Sequence, residues 1–400
     1  MRRVPALPAV AAAVCLVIAL VLGPPAAPAP AQPASNAPAS NAPASVVVGY
    51  YASWSAARRP PSSLPATLVT HVVFAFAGVR PSGECAFVSA RDVAVAGELV
   101  AWRRRNPSVR VLLGLGGWDQ SAGFSSAAAT PQARARFAAS CVRLARDNGF
   151  DGLDVDWEYP ANGRVGGLFA DRANLPLLLA AVRAEQRPGE LLTVATPAGR
   201  ELLAAYDLPA VAAQVDWFHV MTYDYAGSWS DRTGHDAPLG LSDATWPFSV
   251  EGTVAAYREA GVAPAQLVVG VPFFGRAFAD VDLGAAPASG PSPPASNVPG
   301  AGSAFGRMPS WAPSGAIDWR NLASRVRSPS WRRTWDEAAR VPSLVNDQER
   351  VFVSYDDPES VAAKAAYARD AGLRGAMAWE LTGDDDAWSL LRSLAGVLRP

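Results

Sequence analysis

Eight short runs rich in β-branched and aromatic residues, separated by stretches of helical periodicity, constrain this chain more than any other feature. The runs cover residues 46–51, 70–76, 110–115, 151–157, 191–196, 216–223, 267–273 and 374–379. Between them, segments such as 131–148 and 175–185 place Leu, Val and Phe at helical spacing. Gly149 and Gly372 stand where a helix stops just before a strand. Strands joined by helical crossovers are parallel, so the pattern predicts an α/β fold, a (β/α)8 barrel. Such a barrel carries its chemistry at the C-terminal ends of its strands. One interval breaks the rhythm. Some 75 residues separate the seventh and eighth runs, too many for one structureless loop. A small α+β subdomain inserted at about 277–353 is expected there, with Trp311, Trp319, Trp331 and Trp335.

The fourth run is chemically unusual. Asp154, Asp156 and Glu158 alternate with Leu153, Val155 and Trp157. Side chains two apart in a strand share a face, so the three carboxylates point one way and the apolar residues the other. Asp151 has the wrong parity for the acidic row and is expected to tie down the start of the strand. Like charges this close cannot all ionise cheaply, so at least one pKa should rise. Glu158 comes last, at the end where barrel enzymes work. Crowded by Asp156 and flanked by Trp157 and Tyr159, it suits a general acid for a glycosidic oxygen.

The remaining features mainly exclude. Formal net charge is −1, and the only basic run is Arg103-Arg104-Arg105, so no nucleic-acid partner is indicated. Lys364 is the single lysine in a chain rich in Arg and Ala, which reads as base composition. Arg2 and Arg3, an apolar run over 9–22 and small residues up to position 31 have the layout of a signal peptide, 1–31. That run is shorter than the roughly 20 residues that span a bilayer, so a secreted, extracellular protein is expected, with no membrane contact beyond an uncleaved anchor. Residues 32–45 form a Pro/Ala/Ser-rich linker, and 46–400 the catalytic domain. Cys85 and Cys141 are the only cysteines after the leader, and their spacing leaves open whether they pair. His71, His219 and His235 show no metal spacing and are expected in ordinary core or loop roles. Neither a metal nor a cofactor is implied, and a monomer is expected.

Taken together, Asp151-x-x-Asp154-x-Asp156-x-Glu158 followed by Tyr159-Pro160 resembles the signature of glycoside hydrolase family 18, the chitinases. The resemblance runs from Val46 to near Pro400. It includes Gly114-x-Gly116-Gly117-Trp118, Met221-Thr222-Tyr223-Asp224, Gly270-Val271-Pro272-Phe273-Phe274-Gly275-Arg276, Tyr355-Asp356-Asp357-Pro358 and the eighth run ending Met377-Ala378-Trp379.

That resemblance implies hydrolysis of β-1,4 bonds between N-acetylglucosamine units by a substrate-assisted, retaining mechanism, an exception to the two-carboxylate rule. Glu158 would be the acid and Asp156 the group that orients the substrate acetamido N–H. Asp154 would be the charge partner behind Asp156, and Tyr223 would hydrogen-bond the attacking acetamido oxygen. Further substrate contacts are expected at Tyr50, Phe76, Gly117, Tyr159, Met221, Asp224, Arg276 and Met377. Trp54, Trp118, Trp229 and Trp379 would supply aromatic faces for sugar rings, while Trp102, Trp217 and Trp388 belong to the core.

Two positions depart from the pattern. Gly114 replaces a Ser that in relatives supports the inner Asp, which puts the hydrogen bonding of Asp154 in question. Phe274 replaces a Tyr. The competing readings are an endo-β-N-acetylglucosaminidase and an inactive chitin-binding lectin. Lectin relatives lose the acid, whereas Glu158 is present.

Overall fold

The computed structural model describes residues 45–163, 166–242, 247–283 and 299–399. The expected leader, and the linker apart from residue 45, lie outside the described residues. Among the described residues there are fourteen strands. The barrel is made of β1 (Val46–Ala52), β2 (His71–Val79), β4 (Arg110–Gly116), β5 (Gly152–Asp156), β6 (Leu191–Pro197), β7 (Trp217–Met221), β8 (Leu267–Pro272) and β14 (Gly375–Trp379). Each pairs in parallel with the next, and β1 pairs with both β2 and β14, so the sheet closes. β3 (Cys85–Phe87) folds back on β2 as an antiparallel hairpin.

Closure sorts side chains by parity. Val46, Val48, Tyr50, Val73, Leu112, Trp217, Val268 and Met377 fill the barrel interior. Val47, Tyr51, Val72, Phe74, Leu113, Leu153, Val155 and Val269 point outward into the larger core beneath the helices. Those helices start where the sequence says they should. Thr130 accepts the Ala133 amide ahead of the helix Pro131–Asp147, whose first residue is proline. Asp357 and Ser360 cap each other's backbone at the helix Pro358–Asp370. Cys85 on β3 is disulfide-bonded to Cys141 in the helix Pro131–Asp147, which ties the hairpin to the barrel's outer layer.

The insertion between β8 and β14 is an antiparallel five-stranded sheet. Its strands are β9 (Phe274–Phe278), β10 (Ala316–Asp318), β11 (Arg332–Asp336), β12 (Val341–Asn346) and β13 (Val351–Tyr355), ordered β10-β9-β13-β12-β11. The helix Trp319–Val326 packs Trp319 and Leu322 into the core. β9 starts only one residue beyond β8, so the sheet begins nearer the barrel rim than 277. Arg276 is carried on it. Lys364, the single lysine, is fully buried and ion-paired with Asp356.

Candidate active site

β5 delivers its acids as parity requires. Leu153, Val155 and Trp157 are buried in the outer core, whereas Asp154 and Asp156 are buried inside the barrel. Glu158 follows the strand and is partly exposed at the rim. Asp151 accepts the Val111 amide at 2.8 Å and pairs with Arg103 and Arg110, fixing the strand's start. The turn after β4 holds the far end. The Gly117 amide donates to the Asp156 carbonyl at 2.8 Å. A Cβ on Gly116 (φ +100°) would sit 2.2 Å from that carbonyl oxygen, so only glycine fits. Ser121 Oγ donates to the Gly117 carbonyl at 2.8 Å and accepts the Glu158 amide at 3.1 Å. Ser121 thus positions the backbone of Glu158, although no motif in the sequence singles it out.

The charge on the three acids is unequal. Burial would raise the Asp154 pKa, but the hydrogen bonds from His219, Thr193 and Tyr50 outweigh it and hold the group below the ordinary value. Tyr50 donates to Oδ2 at 2.7 Å, Thr193 to Oδ1 at 2.6 Å, and His219 Nδ1 lies 2.9 Å from Oδ1. The doubt raised by Gly114 is therefore resolved by other strands. A Cβ at Gly114 would meet the Phe74 carbonyl oxygen at 2.7 Å and Phe76 Cδ1 at 2.8 Å, leaving no room for a serine. Asp156 behaves oppositely. Burial first, then Glu158 and Asp154, push its pKa well up, and its Oδ1 is buried without a hydrogen-bond partner among the described residues. Burial, with Asp224 and Asp119 adding to it against a hydrogen bond from Tyr159, pushes Glu158 up to about 7. A carboxyl with that value is still largely protonated just below neutrality, as a general acid must be.

The pocket wall comes from β7, its following loop and β9. Tyr223 is buried, with Phe274 edge-on to its ring at 5.9 Å. Arg276 pairs with Asp224, Nε to Oδ1 at 2.8 Å, and its guanidinium lies 4.9 Å from the Trp229 ring and 5.0 Å from Phe274. Phe274 thus uses its ring face where a tyrosine would add a hydroxyl. Asp224 has φ +60°, and its amide donates to buried Asp236 at 3.0 Å. Asp236, which no motif singles out, is the anchor of that strained backbone.

At the end of β14, the neighbour of β8, Trp379 is half-buried, stacked on Phe76 at 5.8 Å and 6.5 Å from Trp54. Trp54, Trp118 and Trp229 are exposed tryptophans, at 57, 66 and 59%. Not every expected substrate contact is open to a ligand. Tyr50 is 1% exposed and spends its hydroxyl on Asp154, and Met377 is fully buried beneath the site. Met221 and Tyr159 are half-buried, and Gly117 serves in the turn. Trp102, Trp217 and Trp388 are buried, as expected.

All three histidines are hydrogen-bonded, in keeping with satisfied core or loop roles. His71 bonds Thr70 at 2.8 Å, and burial, with Arg374 and Arg110 adding to it, lowers its pKa to about 3. His235 bonds Asp336 at 3.1 Å. His219 is a fully buried core histidine with both ring nitrogens bonded, and one of its partners is Asp154. Among the described residues no cluster of three or more His, Cys, Asp or Glu could hold a metal, and no helix is long and apolar enough to cross a membrane.

Comparison with known proteins gives a consistent set of similarities. The profile of the family described as "Glycosyl hydrolases family 18" matches residues 46–384. Chitinase A1 of Niallia circulans is 34% identical over 405 residues, covering 84% of this chain and 56% of that protein, so this chain spans little more than half of it. Chitinase B of Serratia marcescens is 32% identical over 382 residues, covering 82% of this chain and 75% of its own length. Among solved structures, the Group IV chitinase of Ostrinia furnacalis superposes with a TM-score of 0.79 at 31% identity, covering 89% of this chain and 100% of that one. The same insect protein in complex with allosamidin gives a TM-score of 0.79 at 32% identity, with 88 and 98% covered.

Proposed function

This chain belongs to glycosyl hydrolases family 18, and on that premise we propose that it is a chitinase cleaving β-1,4 bonds between N-acetylglucosamine units with retention. The observation that carries the proposal is the row of acids along β5, with Asp154 bonded by three donors, Asp156 Oδ1 buried without a partner among the described residues, and Glu158 at the rim. The three donors lower the Asp154 pKa, burial first raises that of Asp156, and burial pushes the Glu158 carboxyl up to about 7. In the proposed reaction Glu158 gives its proton to the glycosidic oxygen as that bond breaks. The substrate's 2-acetamido carbonyl oxygen attacks the anomeric carbon and forms an oxazolinium-type ring. Glu158, now a carboxylate, then takes a proton from the water that opens it.

Asp156 has the chemistry to orient the acetamido N–H, because its Oδ1 is unpartnered. Tyr223 would donate its hydroxyl to the acetamido oxygen. No carboxylate nucleophile is required, and the nearby Asp224 is engaged by Arg276. Trp54, Trp118 and Trp229 offer apolar faces on which the C–H surfaces of several successive sugars would stack, which favours a polymer over a short glycoprotein glycan. Trp379, with Phe76 stacked beneath it, would floor the site.

We further propose that residues 1–31 direct export and that 32–45 form a linker, so that the domain acts outside the cell. The test is Glu158→Gln against wild type on colloidal chitin. Wild type should release soluble sugar, and the variant should lose at least about 10²-fold in kcat. An inert wild type or a fully active variant would overturn the reading. Release of glycan from glycoproteins but not of sugar from chitin would favour the endo-β-N-acetylglucosaminidase alternative.

A further inference from the structure

We propose that His219 is a positioning residue for the reaction, locked as the neutral Nδ1–H tautomer by Trp217 so that it donates permanently to Asp154. The inference rests on the chitinase reading only for its kinetic consequence. The tautomer follows from the geometry alone.

Trp217 and His219 lie two apart on β7, so both point into the barrel. Trp217 Nε1 is 2.9 Å from His219 Nε2. An indole nitrogen can only donate, so Nε2 must accept and cannot carry a proton. The imidazole proton then sits on Nδ1. That nitrogen is 2.9 Å from Asp154 Oδ1 and 2.9 Å from Tyr50 Oη. Tyr50 already donates its own hydrogen to Asp154 Oδ2, so its oxygen is free to share the Nδ1–H. Every donor and acceptor in the cluster is matched in this tautomer. In the other tautomer, or in the imidazolium, two N–H groups would face each other at 2.9 Å. All four residues are buried, so water cannot relieve such a mismatch.

The other charged or titratable groups around this cluster are few. His71 meets the Trp217 ring edge-on at 5.1 Å, and the Arg374 guanidinium lies 5.3 Å from that ring. Arg110 reaches His71 electrostatically, Asp156 lies two residues on along the same face of β5, and Tyr223 reaches Tyr50 electrostatically. Trp217 therefore separates His219 from the cationic end of the barrel.

The arrangement assigns a job that Gly114 cannot do. The register places Gly114 beside Asp154 on one side and Thr193 beside it on the other. With no room for a side chain at Gly114, the third donor arrives from β7, the strand beyond β6. If it is removed, negative charge is less well held on Asp154, and a proton shared by the pair moves from Asp156 to Asp154. Asp156 then carries the charge beside Glu158. The expected consequences are a slower reaction and a Glu158 that holds its proton to higher pH.

The experiment compares His219→Leu, which deletes the donor, with His219→Asn, whose amide N–H takes the place of Nδ1–H. Chitin hexamer turnover is followed across pH, alongside nitrogen NMR of the wild-type full chain labelled at histidine. H219L should lose about tenfold to a hundredfold in kcat with KM changed less than about threefold, as expected for a lost hydrogen bond to a charged group. Its alkaline limb should move upward. H219N should recover most of the lost kcat. The NMR signal that disappears in H219N should report a proton on Nδ1 and none on Nε2. A merely structural role would leave the pH limb in place and give Asn no advantage over Leu. That result, or a proton on Nε2 in the wild type, overturns the proposal. If H219L does not fold, the wild-type NMR signal decides. An inactive wild type with the predicted tautomer would instead sink the chitinase reading alone.

Discussion

Replacing Glu158 with Gln should stabilise the fold at alkaline pH while abolishing activity. The Glu158 carboxyl is raised from 4.5 to about 7, first because burial disfavours its charge and then because Asp224 and Asp119 oppose it. The folded-state pKa lies above the unfolded one, so the group binds its proton more tightly when folded. Its contribution to stability is fully present below about pH 4.5 and is lost as pH rises through about 7. At about 1.36 kcal/mol per pH unit, the full loss is about 3 kcal/mol, an upper figure because Glu158 is partly exposed. Gln keeps the shape and loses no proton. It also relieves Asp156, whose own pKa is raised in part by Glu158. Urea unfolding of wild type and E158Q at about pH 4 and about pH 8.5 reads the difference. The variant should match wild type at the acidic value and exceed it by up to about 3 kcal/mol at the alkaline one. An equal gap at both pH values, or a variant less stable than wild type at alkaline pH, would refute the charge assignment.

Other outcomes follow from the same geometry. Asp224→Asn removes a charge that raises Glu158, so the alkaline limb of kcat/KM, expected near 7 in the wild type, should move to lower pH; an upward shift would contradict this. Gly114→Ser restores the residue of the relatives but forces atoms to within 2.7 Å of the Phe74 carbonyl, so denaturation should show a loss of about 1–3 kcal/mol and kinetics no gain. Lys364→Met leaves Asp356 buried without its partner, and should cost about 3–5 kcal/mol in the same assay, against almost nothing if the pair were idle.

Much of this site was legible because strand parity is a rigid rule. Once residues 151–157 read as a strand, Asp154, Asp156 and Glu158 had to share a face, and eight βα units placed that face inside a barrel. The supports of Asp154 were less visible. Thr193, His219 and Tyr50 come from three different strands, and their meeting depends on barrel register rather than on any local motif. One signal was available. A polar residue at an inward position of an otherwise apolar strand needs a partner, and His219 between Trp217 and Met221 is such a residue. Ser121 and Asp236 act from loops, where period and parity carry no information. Lys364 looked like a trace of base composition and is instead a buried half of an ion pair. Pairing of Cys85 with Cys141 depends on how the β2–β3 hairpin folds over a helix, which spacing alone does not encode.

The most direct test of the central claim compares the N-acetylglucosamine hexamer with the fully deacetylated glucosamine hexamer as substrates. If the acetamido oxygen is the nucleophile and Glu158 the acid, the acetylated hexamer should be cleaved and its deacetylated counterpart left intact. Comparable turnover of both would contradict the account.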